Sequence, residues 1–271
     1  AQKDVIVYSH HYEGDKSDAT LVLPVSTLGK EYFLMAYDQI SQGSRGRSTF
    51  AIVAVKDSTK INITPSCDLM SRTGGTLSEG NTYQITLNRG EVYQAQGRSG
   101  SATYDVTGTK IEVIDTGATA NCRTVAVYSG SSWATVGQCG GWGVNSGDNL
   151  YEQMFPINSW GKQFVLVPAL GRNNGDNFRI LARDNSTQLT VYTGAGAPNI
   201  YYLDEGEYQD IDDVTYARMV FTSHPVMVAQ YQKTAKCDGG FNRVGDPSMT
   251  ILNPLEQTLT DITLYSSEFY D

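Results

Sequence analysis

The chain has 271 residues, 40% of them hydrophobic and 18% charged, with 29 acidic against 20 basic side chains and a net charge of −9. That balance excludes a nucleic-acid partner, since phosphate contacts need a basic face, and the composition is neither disordered nor coiled-coil. The longest apolar runs, Phe50–Val55 and Phe164–Leu170, fall far short of the roughly 20 residues a spanning helix needs, so no membrane insertion is expected.

Taken in order, the chain reads as strands. The first residues run from Asp4 directly into an alternating Val-Ile-Val-Tyr8 segment with no basic and apolar leader before it. Period-2 alternation recurs at Ile61 and Ile63, at Tyr83, Ile85 and Leu87, at Ile111 and Val113, and at Leu189 and Val191. No window shows apolar residues at i, i+3, i+4 and i+7. The last residues, Ile262 to Asp271, carry no terminating signal, so both ends look cut from something longer.

The segments repeat. Leu23-Pro-Val-Ser-Thr-Leu-Gly-Lys30 aligns without a gap on Phe155-Pro-Ile-Asn-Ser-Trp-Gly-Lys162. Phe50-Ala-Ile-Val-Ala54 then matches Phe178-Arg-Ile-Leu-Ala182, and the turns Asp57-Ser-Thr59 and Asn185-Ser-Thr187 follow. Leu87-Asn-Arg-Gly-Glu91 matches Leu203-Asp-Glu-Gly-Glu207, Asp105-Val-Thr107 matches Asp213-Val-Thr215, and Thr124-Val-Ala-Val-Tyr128 matches Pro225-Val-Met-Val-Ala229. A strand–loop–Asp–Pro junction occurs three times: Asp4–Tyr8 with Asp18 and Pro24, then Cys139–Asp148 with Pro156, then Cys237–Asp246 with Pro254. Fixed-order self-similarity of this kind marks a repeat architecture. The expectation is an all-β chain of two tandem β-sandwich-like units sharing junction strands, with a propeller-like ring as the alternative. Residues 1–18 are the last strand of a preceding unit, 19–147 and 148–245 the two units, and 246–271 the first strand of a third.

The junction residues carry a resemblance. Thr124-Val-Ala-Val-Tyr-Ser-Gly130, Cys139, Asp148 to Gln153, Pro156 and Trp160-Gly-Lys162 resemble the N-terminal domain of the IgG Fc-binding protein family, as does Asp105-Val-Thr-Gly-Thr-Lys-Ile111. Tyr128–Trp133 and Gly147–Gln153 look closer to its versions in large surface proteins of Bacteroidetes-type bacteria. The resemblance implies an extracellular or cell-surface setting and supplies no catalytic motif.

Of the four cysteines, Cys122 and Cys139 bracket a hairpin and are expected to form a disulfide; Cys67 and Cys237 either pair across the units or stay free. Chemistry is sparse. His10 and His11 sit side by side on a strand and so face opposite ways, and His224 precedes Pro225 at a turn. No Gly-x-Ser-x-Gly and no phosphate loop occurs. The acidic run Asp204 to Asp213 coincides with a repeated turn. Asp18, Asp148 and Asp246 share one repeat position, where they read as turn-capping side chains, with calcium the one cofactor they leave open. Trp133, Trp142 and Phe241, in or beside the junction loops, are the candidate contact residues. The chain is therefore expected to be no enzyme but an adhesion-type module recognising a glycan or a surface protein, flanked by neighbouring repeat units. A structural spacer and an enzyme acting on polysaccharide are the weaker alternatives.

Overall fold

The computed structural model describes residues 5–14, 16–38, 46–71, 74–98, 104–114, 123–137, 147–238 and 246–260. A hairpin of β1 (Tyr8–Glu13) and β2 (Lys16–Leu21) opens the chain. The first unit follows with β3 (Glu31–Phe33), β4 (Ser48–Ala54), β5 (Thr59–Thr64), β6 (Leu69–Ser71), β7 (Thr76–Leu77), β8 (Tyr83–Leu87), β9 (Val92–Gly97), β10 (Lys110–Ile114) and β11 (Val125–Ala134). The second has β12 (Asp148–Gln153), β13 (Gly161–Leu166), β14 (Asp176–Ala182), β15 (Thr187–Tyr192), β16 (Asn199–Leu203), β17 (Tyr208–Val214) and β18 (Arg218–Gln232), and β19 (Ser248–Leu252) comes last.

The first unit is a sandwich of two antiparallel sheets, ordered β3-β10-β5-β8 and β12-β11-β4-β9-β6-β7. Its strands alternate because one face of each is buried: in β4 Ser48, Phe50, Ile52 and Ala54 point inward, and in β5 Ile61 and Ile63 do. Phe50, Ile52, Ile61, Ile63, Ile111, Val125 and Val127 meet in one core, which joins the two sheets. The second unit repeats the plan, β13-β18-β15-β16 and β19-β18-β14-β17, without the β6–β7 hairpin. Here one long strand replaces β10 and β11. The first part of β18 pairs with β13 and β15, and from Val226 onward it pairs with β14 and β19. Pro225 stands where it crosses from one sheet to the other, a position at which a missing backbone N–H is tolerated.

The turn before the β9 or β17 strand shows how far the repeat extends. In both units the side chain of one turn accepts from the backbone of the other: Arg89 N–H to Asp57 and Ser58 N–H to Asn88, then Glu205 N–H to Asn185 and Ser186 N–H to Asp204. Ser58 and Ser186 both take positive φ, 56° and 54°. The first part of the acidic run is thus a solvated turn, as its repeat position implies.

Each unit lends its last strand to the next. β1 pairs with β2, β11 with β12 and β18 with β19, and the pairs Tyr8↔Leu21, Tyr128↔Gln153 and Ala229↔Ile251 all lie three residues before a proline. Each proline, Pro24, Pro156 and Pro254, then caps a short 3-10 turn. The gap-free sequence matches are therefore matches in register.

The units share core as well as strands. Both faces of β14 are buried: Phe178, Ile180 and Ala182 fill the second unit, while Leu181 joins Met227, Ala229 and Tyr231 in the core of the first. Arg179 lies on that second face, 2% exposed. Its guanidinium donates to Asp105 Oδ2 at 2.5 Å, to the Ala36 carbonyl at 3.1 Å and, in a bidentate pair, to Asp210 at 2.7 and 2.9 Å. It also stacks 3.9 Å from the Tyr208 ring. The Arg179 charge holds the Asp105 carboxyl below its usual range against the opposing effect of burial.

The three junction strands meet through side chains rather than a backbone ladder. Asp18 of β2 accepts from the Tyr151 N–H of β12 and the Met249 N–H of β19. Asp148 accepts from Ser17 N–H, and Thr20 Oγ1 donates to Glu152 at 2.5 Å. Burial pushes Asp18 and Glu152 up to about 7 and raises Asp148. A carboxyl whose folded value lies above its unfolded one binds more protons when folded, so its contribution is largest below about pH 4 and is lost as pH rises through 7. The melting temperature is expected to be higher at pH 5.5 than at pH 8, and Glu152→Gln to narrow that difference. Equal pH dependence in the variant and the parent would count against it.

Candidate binding face

The outer face of the β13-β18-β15-β16 sheet differs in character from its counterpart in the first unit. Residues opposite one another in an antiparallel pair share a face, and the register places Tyr202 beside Gln188, Thr190 between Ile200 and Phe221, and Met219 between Tyr192 and Val165. Tyr202 is 70% exposed, Ile200 50%, Tyr192 42% and Phe221 39%. Their neighbours Val191, Leu189 and Val220, pointing the other way, are fully buried. The core of this sheet therefore fixes an aromatic and aliphatic surface on its solvent side. The same register positions of the first unit hold Lys60, Asn62, Gln84, Thr86 and Glu112. There Lys110 is bound to Glu31, Glu112 and Glu205 at 3.0–3.2 Å. One fold thus carries a charged, solvated face in one unit and an uncharged apolar one in the next.

The geometry of the face bears on what it takes. Tyr192 and Phe221 have ring centroids 5.7 Å apart with an interplanar angle of 88°, edge to face. Hydrogen-bonding capacity comes from neutral side chains, Gln163, Gln188 and Thr190; Gln188 Nε2 donates to Thr190 Oγ1 at 3.4 Å. No carboxylate, imidazole or thiol lies among these positions. What the arrangement offers is apolar area and shape, with the Tyr192 and Tyr202 hydroxyls as further polar groups.

The residues singled out from sequence lie elsewhere. Trp133, on β11, is half-buried at the junction of β11 and β12, where a Cβ on Gly147 would stand 1.9 Å from its Nε1 and Lys16 Nζ lies 4.9 Å from its ring. Trp142 and Phe241 fall outside the described residues. Asp18 and Asp148 lie on β2 and β12, and each accepts from its own strand and from the neighbouring junction strand: Asp18 from Ala19 and Tyr151 N–H, Asp148 from Asn149 and Ser17 N–H. No group of three or more potential metal ligands occurs among the described residues. Cys67 is free and buried, and Cys237 is disulfide-bonded, so these two do not pair with each other. Cys122 and Cys139, the expected disulfide pair, both fall outside the described residues. Cys237 lies against the Val136 carbonyl of the first unit.

The comparison with known families decides the class. A profile of the family described as IgGFc binding protein matches residues 18–271. The chain belongs to this family. A human relative, named IgGFc-binding protein, is 26% identical over 198 residues, which is 73% of this chain and 3% of that protein. The chain thus spans a small part of the relative's length. No solved structure matches it. The all-β sandwich plan of this IgGFc-binding-family chain agrees with the sequence expectation. No helix among its described residues is long and apolar enough to cross a membrane.

The apolar face was missed by sequence reading because Tyr192, Ile200, Tyr202 and Phe221 each sit in a strand whose alternation looks ordinary. Comparing each with its repeat counterpart reveals it: Ile200 stands where the first unit has Gln84, and Phe221 where it has Glu112.

Proposed function

We propose that the chain is an extracellular, non-enzymatic adhesion module of a larger surface or secreted protein, and that it recognises a surface protein through the outer face of its second unit. The carrying observation is that Tyr192, Ile200, Tyr202 and Phe221 stand where the polar face of the first unit has Thr64, Gln84, Thr86 and Glu112. Tyrosine, phenylalanine and methionine enriched and charge depleted at the centre of a patch is the composition of protein interfaces. A glycan is the second reading, since the exposed Tyr202 ring could stack on a sugar. The name of the human relative nominates IgG Fc as a first probe; nothing in the chemistry of the face selects Fc over other proteins.

The test is the double variant Ile200→Ser/Tyr202→Ser, screened with the parent chain on an array of extracellular proteins, IgG Fc included, and on a glycan array. Both side chains are exposed, so melting should not change. Protein binding is expected to weaken by about 30-fold or more, as loss of hot-spot contacts does. Binding to glycans alone, or protein binding indifferent to the two substitutions, would overturn the reading.

A further inference from the structure

We propose that the outer edge of β1, together with the cleft beside it and the ring of Pro24, seats another sandwich unit of this same fold, one that lacks its own last strand and takes β1 in its place. The proposal is independent of the binding face and rests on three places that are bare at the start of the chain and covered at their later counterparts.

The first is the strand itself. By register and sequence β1 and the residues before it are equivalent to β11 and to the second half of β18, whose outer edges pair with β4 and β14. Among the described residues β1 pairs only with β2. Val125, Val127, Val226 and Val228 are fully buried at these positions, whereas Val5 is 67% and Val7 49% exposed. Because Val7 O accepts from Val22 N–H on the β2 side, alternation turns the backbone N–H and C=O of Ile6 and Tyr8 to the open edge. An open, apolar strand edge is a template for another strand.

The second is the proline. An ideal Cβ on Gly29 would lie 2.3 Å from Pro156 Cβ, and one on Gly161 would lie 2.2 Å from Pro254 Cβ, so each unit presses a bare glycine on the next junction's proline. Pro156 and Pro254 are buried; Pro24 is exposed. The third is the outer face of the β12-β11-β4-β9 sheet. Its counterpart in the second unit is covered by the first unit at Arg179 and Tyr231, through Asp105 and Ala36. In the first unit the equivalent ground is a cleft of about 220 Å³ between His11, Ala51, Gln94, Tyr128 and Asn149. Asn149 is 3% exposed, and neither its Oδ1 nor its Nδ2 has a hydrogen-bond partner. A buried amide left so is costly, and a group from the covering unit would satisfy it.

A complete second copy of the chain does not meet these requirements, because β4 and β14 already have neighbours on both sides. The occupant must be open at its last strand.

The gap-free match of Asp4–Tyr8 with Thr124–Tyr128 supplies the test. A duplicate of residues 22–123 is spliced ahead of residue 4 of the full chain, so that β1 follows the duplicate as β11 follows the original. Hydrogen exchange of the Ile6 and Tyr8 amides is expected to slow by on the order of 100-fold relative to the unspliced chain. Val7→Asp should leave the melting of the unspliced chain unchanged and abolish the protection in the spliced one. Exchange at Ile6 and Tyr8 as fast as in the unspliced chain, with the original units melting as before, overturns the proposal; so does protection that survives Val7→Asp.

Discussion

Arg179→Leu should lower the stability of the chain by about 3–5 kcal/mol, the effect of removing one partner from a buried ion pair. Asp105, 7% exposed, would keep its Thr107 contacts and lose the Arg179 charge paired with it. The Ala36 carbonyl would lose one donor, and the Tyr208 ring its cation. Adding Asp105→Asn to Arg179→Leu should restore part of the loss, since it removes the stranded charge. Chemical denaturation of the two singles and the double measures the coupling. Additive losses would show that Arg179 acts through packing alone. Because its partners come from both units, the variant is also expected to split the unfolding into two transitions if the units are held together mainly at this point.

Gly130→Ala should be the most damaging single methyl group in the first unit, costing about 3 kcal/mol, the upper end of overpacking effects. Its Cβ would stand 1.8 Å from the Leu150 carbonyl oxygen and 2.5 Å from its carbon. Those are backbone atoms of the paired strand, opposite Gly130 across the Gly130↔Tyr151 pair, and they have no rotamer to swing away. Room can come only by parting β11 from β12, the seam that joins one unit to the next. Thermal melts against Gly74→Ala, whose Cβ meets nothing within 4 Å but whose φ is +83°, separate crowding from backbone strain. A smaller loss for Gly130→Ala than for Gly74→Ala would contradict the assignment.

How much of this was legible in the sequence depends on whether a feature is repeated. The three prolines, the two Asp/Asn-Ser-Thr turns and the shared strands could be read by aligning the chain with itself, because each repeats a local hydrogen-bonding need. The features that belong to one unit could not. Arg179 sits in Phe178-Arg-Ile-Leu-Ala182, where its repeat partner is Ala51; a lone charge in an apolar run looks like a solvent-facing residue of an amphipathic strand. Its face turned out to be buried because the neighbouring unit covers it, a tertiary fact absent from strand periodicity. The Tyr192–Phe221 surface was hidden for the converse reason: exposed apolar residues follow the same alternation as buried ones. Cys237 was assigned no reliable partner because disulfide geometry depends on distance across the fold rather than along the chain.

The seam described above also sets the mechanics of the pair. The two sandwiches are joined through packed structure: β11 of one pairs with β12 of the next, Met154 of the second unit is buried in the first unit's core, and Arg179 pins the facing surfaces. Beads on a polar linker reorient freely and their reach grows roughly with the square root of linker length. Bodies fused in this way keep a fixed angle and reach in proportion to their number. A face presented on the second unit is thereby held at a set distance and bearing from whatever anchors the first, as on a strut rather than a leash.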